Sequence, residues 1–204
     1  MIRRSGCKLP EGVDSVDERI RTLLDAGDVD GAATELIRGH GPEILRYFHS
    51  LLRDEDAAAD AFATFSERVW RGLGGFKGES SLLTWCYSVA WNVATRQFRD
   101  PYRRRRRALE STAYAHLVEE VRATTLPHLR TEVKAGIARL RESLDPEDRT
   151  LLYLRIDREM SWKGVAQVLA ADGRVREEQA LRKRFERIKE RLRRIAKQEG
   201  LLGT

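Results

Sequence analysis

Only two cysteines, Cys7 and Cys86, occur in 204 residues. Neither has a histidine or cysteine at zinc-ligand spacing, which argues against a disulfide framework and a structural metal and fits free thiols in a reducing compartment. No apolar run approaches the ~20 residues of a membrane span, and the start "MIRRSGCKLPEG" lacks the apolar core of a signal peptide. A cytoplasmic protein without membrane insertion is expected. Strand signals are nearly missing as well: there is no sustained period-two alternation and no Asn-Gly or Asp-Gly between β-branched runs. Catalytic signatures are equally scarce. His40, His49, His116 and His128 have no partners at ligand spacing, Asp54 and Asp56 suit a loop and a cap, and no glycine-rich phosphate loop or nucleophile motif occurs. An enzyme and a bound cofactor are therefore not expected.

What is present is charge and helical periodicity. Lys and Arg number 38 against 32 Asp and Glu. Residues 1–100 hold 13 basic and 16 acidic side chains, a net of −3, and the remainder carries +9. An acidic half suited to protein and a basic half suited to a polyanion follow. The fold class is all-α, as two small helical domains joined by a basic linker. The expected divisions are an N-terminal extension over 1–38, a helical domain over 39–100, a linker over 101–130 and a second domain over 131–204.

Within the first domain, "VDERIRTLLDAGD" and "DGAATELIRGHG" read as two short helices, and Gly41-Pro42 opens a third bearing Ile44, Leu45, Phe48, Leu51 and Leu52. "DAAADAFATFSERVWRGL" follows with Ala58, Ala61, Phe62, Phe65, Val69 and Trp70 at helical spacing. Four glycines in "GLGGFKG" interrupt the chain, and Ser80 or Ser81 caps a helix carrying Leu82, Trp85, Val89 and Val93. Residues 108–129 read as a tether with some helix.

The second domain holds helices in "EVKAGIARLRESL", "PEDRTLLYLRID" and "SWKGVAQVLA", the last capped by Ser161, and ends in "ALRKRFERIKERLRR". In that last run Leu181, Phe185, Ile188, Leu192 and Ile195 make a buried seam, and the other sides are almost wholly cationic. A short helix, a polar turn and a longer basic helix form the helix-turn-helix layout, whose last helix enters the major groove. A solvated amphipathic surface helix is the alternative.

"LDPEDRTLLYLRIDREMSWKGVAQVLA" and "LRKRFERIKERLRR" resemble region 4 of bacterial extracytoplasmic-function (ECF) sigma factors, with Arg149, Ser161, Ala166, Leu169 and Arg184 at matching places. Glu159 stands where a glycine is usual, and "AADGRVREEQA" lengthens the turn by about five residues against the usual helix-turn-helix. "YFHSLLRDEDAAADAFATFSERVWRGLGGFKGESSLLTWCYSVAWNVATRQFR" resembles region 2 of the same family.

The resemblance implies transcription initiation. RNA polymerase core, through its clamp helices and flap, and promoter DNA would be partners, together with an anti-sigma factor. It further implies −10 and single-strand contacts from Phe76, Lys77, Glu79, Ser80, Tyr87, Trp91, Asn92, Arg96 and Arg99. Contacts to the −35 element would come from Arg182, Lys183, Arg184, Arg187 and Arg191, and core contacts from Asp60, Glu67 and Arg68. Stacking rings, polar donors on a loop and nearby cations are what single-strand capture needs.

Three points stay open. One of Trp85 and Trp91 should be core, and Trp85 is the expected one. Ala63 and Thr64 replace the polar pair that follows Asp60 in the family, which leaves Asp60 as either a core contact or a surface charge. Arg103 to Arg107 are either a solvated like-charge block or phosphate contacts. A stand-alone helix-turn-helix regulator is the alternative function, and a basic RNA-binding or scaffolding helical protein is a more distant one.

Overall fold

The computed structural model describes residues 11–99, 112–129 and 144–198. Eight α-helices and no strand occur among them, so the fold is all-α. Helices α1 (Glu11–Asp25), α2 (Val29–Leu52), α3 (Glu55–Gly72), α4 (Leu82–Arg99) and α5 (Thr112–Leu129) form the first module. Helices α6 (Pro146–Leu152), α7 (Trp162–Ala170) and α8 (Glu178–Gln198) form the second. The helix expected over "EVKAGIARLRESL" and the Arg103 to Arg107 block lie outside the described residues.

Local chemistry sets most helix starts. The side chains of Asp28, Asp54, Asp145 and Ser161 accept from the amides of Gly31, Ala57, Asp148 and Gly164, satisfying first-turn donors of α2, α3, α6 and α7. Ser81 performs this task at α4, its Oγ accepting from Thr84 N at 3.1 Å.

Helix α2 departs from the sequence expectation. Residues 29–52 run as one helix with Pro42 inside it, where a break before the proline was expected. Proline removes one ladder hydrogen bond and costs ~3 kcal/mol in a helix interior. Packing on both sides of it offsets that cost: Ala32, Ala33, Leu36 and Ile37 before it and Ile44, Leu45 and Phe48 after it are all fully buried.

Helix α1 lies along α2 through Asp17, which bonds His40 Nε2 at 2.8 Å, and Arg19, which pairs with Glu35 at 2.9 Å. Helix α5, expected as a tether, instead buries Leu117, Val118, Val121 and Thr125 in packing against α2 and α3. Its close approach uses Gly41: a Cβ there would sit 3.1 Å from the Phe62 ring and 3.3 Å from Val121. The departure has a simple origin, because the apolar residues of α5 are distributed around the helix and not along one stripe, so they give no strong periodicity.

Burial of Leu36 ties the segment before residue 39 to the core. Leu36→Ala should cost about 2–5 kcal/mol, read as a lower urea midpoint at unchanged m-value. A peripheral segment would leave the midpoint where it was.

Candidate nucleic-acid interface

Two surfaces carry the residues singled out in the sequence. The first surrounds the glycine-rich loop between α3 and α4. A 3₁₀ turn over Leu73–Gly75 and a left-handed Gly78 at φ +71° let the chain reverse there. Phe76 is half-buried against Trp85, with ring centroids 5.7 Å apart, while Lys77 and Glu79 are exposed. A hollow of about 370 Å³ opens among Gly75, Phe76, Lys77, Glu79, Ser80, Trp85 and, from α7, Gln167. The structure thus brings Phe76, Lys77, Glu79 and Ser80 together.

Two aromatic assignments are reversed. Trp91 is 3% exposed and belongs to the core, whereas Trp85, the expected core residue, is half-exposed beside the loop. Six residues separate them, so they point in directions ~120° apart (from 3.6 residues per turn), and the sequence could not say which faced inward. Tyr87 is also fully buried and donates to a carboxylate oxygen of Glu43. Burial raises its pKa and pushes Tyr153 up to about 12, so both hydroxyls remain donors. Trp91 and Tyr87 therefore present no stacking face in this conformation. The buried Cys86 thiol is likewise raised by burial and unreactive.

A second cleft, of about 300 Å³, lies beside the loop and is lined by Glu67, Arg68, Arg71, Gly72 and Arg96. Arg68 Nη1 donates to Asn92 Oδ1 at 3.1 Å, and Arg71 pairs with Glu67 at 2.9 Å. Two of the residues expected to contact polymerase thus share a cleft with Arg96, expected to contact DNA. Asp60 is exposed two turns earlier on α3. Arg99 ends α4, and its side chain lies outside what is described.

The second surface is α8. Leu181 and Ile188 are buried, Phe185 and Leu192 half-buried, and Phe185 meets the Trp162 ring of α7 edge-on at 5.5 Å. Apolar packing so fixes the inner side. Arg182, Lys183, Arg187, Arg191, Arg193 and Arg194 remain exposed on the outer side. Arg182 also lies over the Trp162 ring, 5.3 Å from its centroid.

Arg184 differs from the rest of that set, since it turns inward. Its Nη1 meets Glu147 at 2.8 Å, its Nη2 meets Asp145 at 3.1 Å, and its Nε donates to Asp148. Burial opposes both partners, raising the Asp148 carboxyl and by itself lowering the guanidinium, yet the three carboxylates leave Arg184 raised overall. Arg184 is consequently committed to the N-terminus of α6 and is not displayed beside Arg187.

The long turn uses the same acid. Arg176 holds Glu147 with two bonds of 3.0 and 3.2 Å and Asp172 at 3.3 Å. The sequence reading missed Arg176 and Glu147. Arginine in an otherwise polar turn and "PED" at a helix start were the available signals, but nothing in their spacing pairs residues 29 apart. The lengthened turn is clamped, and the angle of α8 is set by two arginines sharing Glu147. Glu159, at the position where the resemblance expects glycine, is left-handed at φ 49°, a conformation that glycine adopts without strain.

A sign test separates positioning from charge. Glu147→Gln removes a negative charge near the basic helix, which alone would tighten binding to a duplex. Loss of the clamp should instead weaken binding about tenfold (~1.4 kcal/mol) with the salt dependence unchanged. Arg187→Ala should lower the slope of log K against log salt by about one. Fluorescence anisotropy with a labelled duplex over a salt series reads both.

A family model described as sigma-70 region 2 matches residues 36–108. The chain is also 28% identical over 135 residues to the RNA polymerase sigma-H factor of Pseudomonas aeruginosa, covering 62% of this chain. The match spans 66% of that protein's length, slightly under two thirds. The matched interval runs from the second half of α2 through α3, the glycine-rich loop and α4, the elements that build the first surface. Over residues 36–108 the chain is therefore similar to region 2 of the sigma-70 family.

Proposed function

We propose that the chain is an RNA polymerase sigma factor of the ECF type, a dissociable subunit that directs core polymerase to promoters and acts by binding and strand capture without turnover. The observation that carries this reading is the succession, in one chain, of a matched region 2 and a helix-turn-helix whose last helix is basic on its outer side. The first module, with residues 36–108 at its centre, serves as region 2 and the helices over 146–198 serve as region 4, working in the cytoplasm with core.

Region 4 supplies duplex recognition. The major groove is about 12 Å wide and admits one helix; α8 enters it with Arg182, Lys183, Arg187 and Arg191 toward the −35 element. Arg184 positions that helix from behind. Region 2 supplies strand opening. Phe76, Trp85, Lys77, Glu79 and Ser80 surround the hollow in which an unstacked base of the −10 element is held, and Arg96 and Arg99 follow the phosphates. Asn92 is the polar group at the centre of this face, and Asp60, Glu67 and Arg68 meet the clamp helices of core. An anti-sigma factor that covers both surfaces completes the set of partners.

Co-elution with bacterial RNA polymerase core on size exclusion, in moderate salt and without DNA, tests this reading. One chain per core is the expected result. A folded chain that elutes alone would favour the stand-alone regulator, whose contacts are with duplex DNA only.

A further inference from the structure

Two guanidiniums lie over one indole where α7 meets α8. Arg155, in the segment after α6, sits 4.5 Å from the centroid of the Trp162 ring, and Arg182 of α8 sits 5.3 Å from it. Both distances fall within the ~6 Å over which the electron-rich face of tryptophan attracts a cation. Trp162 is the first residue of α7, and it is partly exposed.

Several contacts hold the indole in place. Phe185 meets it edge-on, with ring centroids 5.5 Å apart and planes at 80°. Arg155 not only lies over the ring but donates through Nη1 to the Met160 carbonyl, two residues before Trp162. Ser161 fixes the backbone between them, its Oγ accepting from Gly164 N at 3.1 Å. Packing alone accounts for the edge-on contact with Phe185. It does not account for a cationic side chain of the outer surface being drawn over the ring, since leucine would fill the same seam.

Arg182 is where such a restraint has a consequence. It stands one turn into α8, which begins at Glu178, and the N-terminal residues of a recognition helix are the ones that reach base edges. Its pairing with Glu178 is 3.8 Å long, beyond hydrogen-bond reach, so the N–H fork stays available. Bidentate donation to O6 and N7 of guanine needs that planar fork in one orientation. An unrestrained arginine loses rotamer freedom in reaching it, whereas a stacked one has lost part of that freedom beforehand.

We infer that Trp162 is a positioning residue for base readout: its ring holds the Arg182 guanidinium in the orientation that pairs with one guanine of the −35 element. The inference deepens the sigma-factor reading and rests on α8 being the recognition helix. Trp162 itself touches no base. Arg182 supplies the hydrogen bonds, and Trp162 sets how often its fork is aimed.

The experiment selects duplexes from a pool randomised over about 10 base pairs, one helical turn, on the full chain, alone and bound to polymerase core. Selected duplexes and their single-base variants are then titrated over a salt series. The unaltered chain should prefer guanine at one position by about tenfold or more. Arg182→Ala and Arg182→Lys should both abolish that preference, because lysine keeps the charge but lacks the fork. Trp162→Leu should reduce it at the same position by about threefold, the scale of an exposed cation–π contact, with the salt slope and the affinity for duplexes lacking that guanine unchanged. Trp162→Phe, which keeps a ring, should restore most of it, and in the Arg182→Ala chain Trp162→Leu should add nothing further.

Far-UV circular dichroism checks folding, and Trp162→Met, another flexible apolar side chain, takes the place of leucine if that variant does not fold. A Trp162 variant that weakens all duplexes alike would make the ring a packing residue and overturn the inference. An Arg182→Ala chain that keeps every base preference, or a chain that selects no sequence in either state, overturns it too. A chain that selects guanine through Arg182 but does not bind core keeps the positioning role and loses the sigma-factor reading.

Discussion

Helix α2 touches every other part of the first module, and the whole arrangement depends on keeping it straight through Pro42. Its 24 residues extend about 36 Å (~1.5 Å per residue), long enough to receive α1 and α5 as well as α3 and α4. If the chain broke at the proline, Leu36 and Ile37 would leave the core that Ile44 and Phe48 occupy. Gly41 permits the same helix to accept Phe62 and Val121 at close range, so the residue pair that reads as a helix start is in place a device for dense packing. The foot of that helix presents Tyr47 and Glu43 to the second module, which links the core to the joint between modules.

Charge is organised by where it is neutralised. The basic surplus of the second half suggests a uniformly cationic recognition helix, yet Arg184 is taken out of that surface by three carboxylates. Those acids sit in the first turn of α6, where Asp145 already caps the helix and the positive end of its dipole favours anions. Neutralising Arg184 there holds α8 against α6 and leaves the outer cations to meet an external polyanion. Arg176 adds the long turn to the same cluster, so the extra residues of the turn are anchored by charge where the apolar seam of α8 has ended.

Legibility in the sequence followed the range of the interaction. Local signals were reliable: the cap at Ser161, the glycine-rich interruption, the seam of α8 and the all-helical class could all be read because each depends on neighbours within four residues. Long-range packing was hidden. That α2 continues through Pro42 depends on contacts with four other helices, and that α5 joins the core depends on Gly41 and Phe62 far away in sequence. At the candidate site, Phe76, Lys77, Glu79 and Ser80 were brought together as their loop suggested. The inward turns of Trp91, Tyr87 and Arg184 were not visible, since a side chain's partners at distances of 30 residues or more decide them.

The joint between modules adds polar pairs to an apolar cluster that runs through both of them. Within the first module, burial rests on Leu, Ile, Phe and Ala, groups that have nothing to gain from water. Across the joint hydroxyls, an amide, a backbone carbonyl, a carboxylate and a guanidinium pair beside the packed rings of Tyr47, Tyr87 and Tyr153, and buried Val165, Val168 and Leu169 of α7 belong to the same apolar cluster as Leu82 and Val93 of α4. Net hydrogen-bond contributions are small, about 0.5–1.5 kcal/mol each, because water competes for the same groups, and interfaces between domains that move are correspondingly polar. Glu43, Tyr153, Arg158 and Asn92 contribute direction more than strength: their paired donors and acceptors fix the geometry in which the apolar surfaces of the two modules meet.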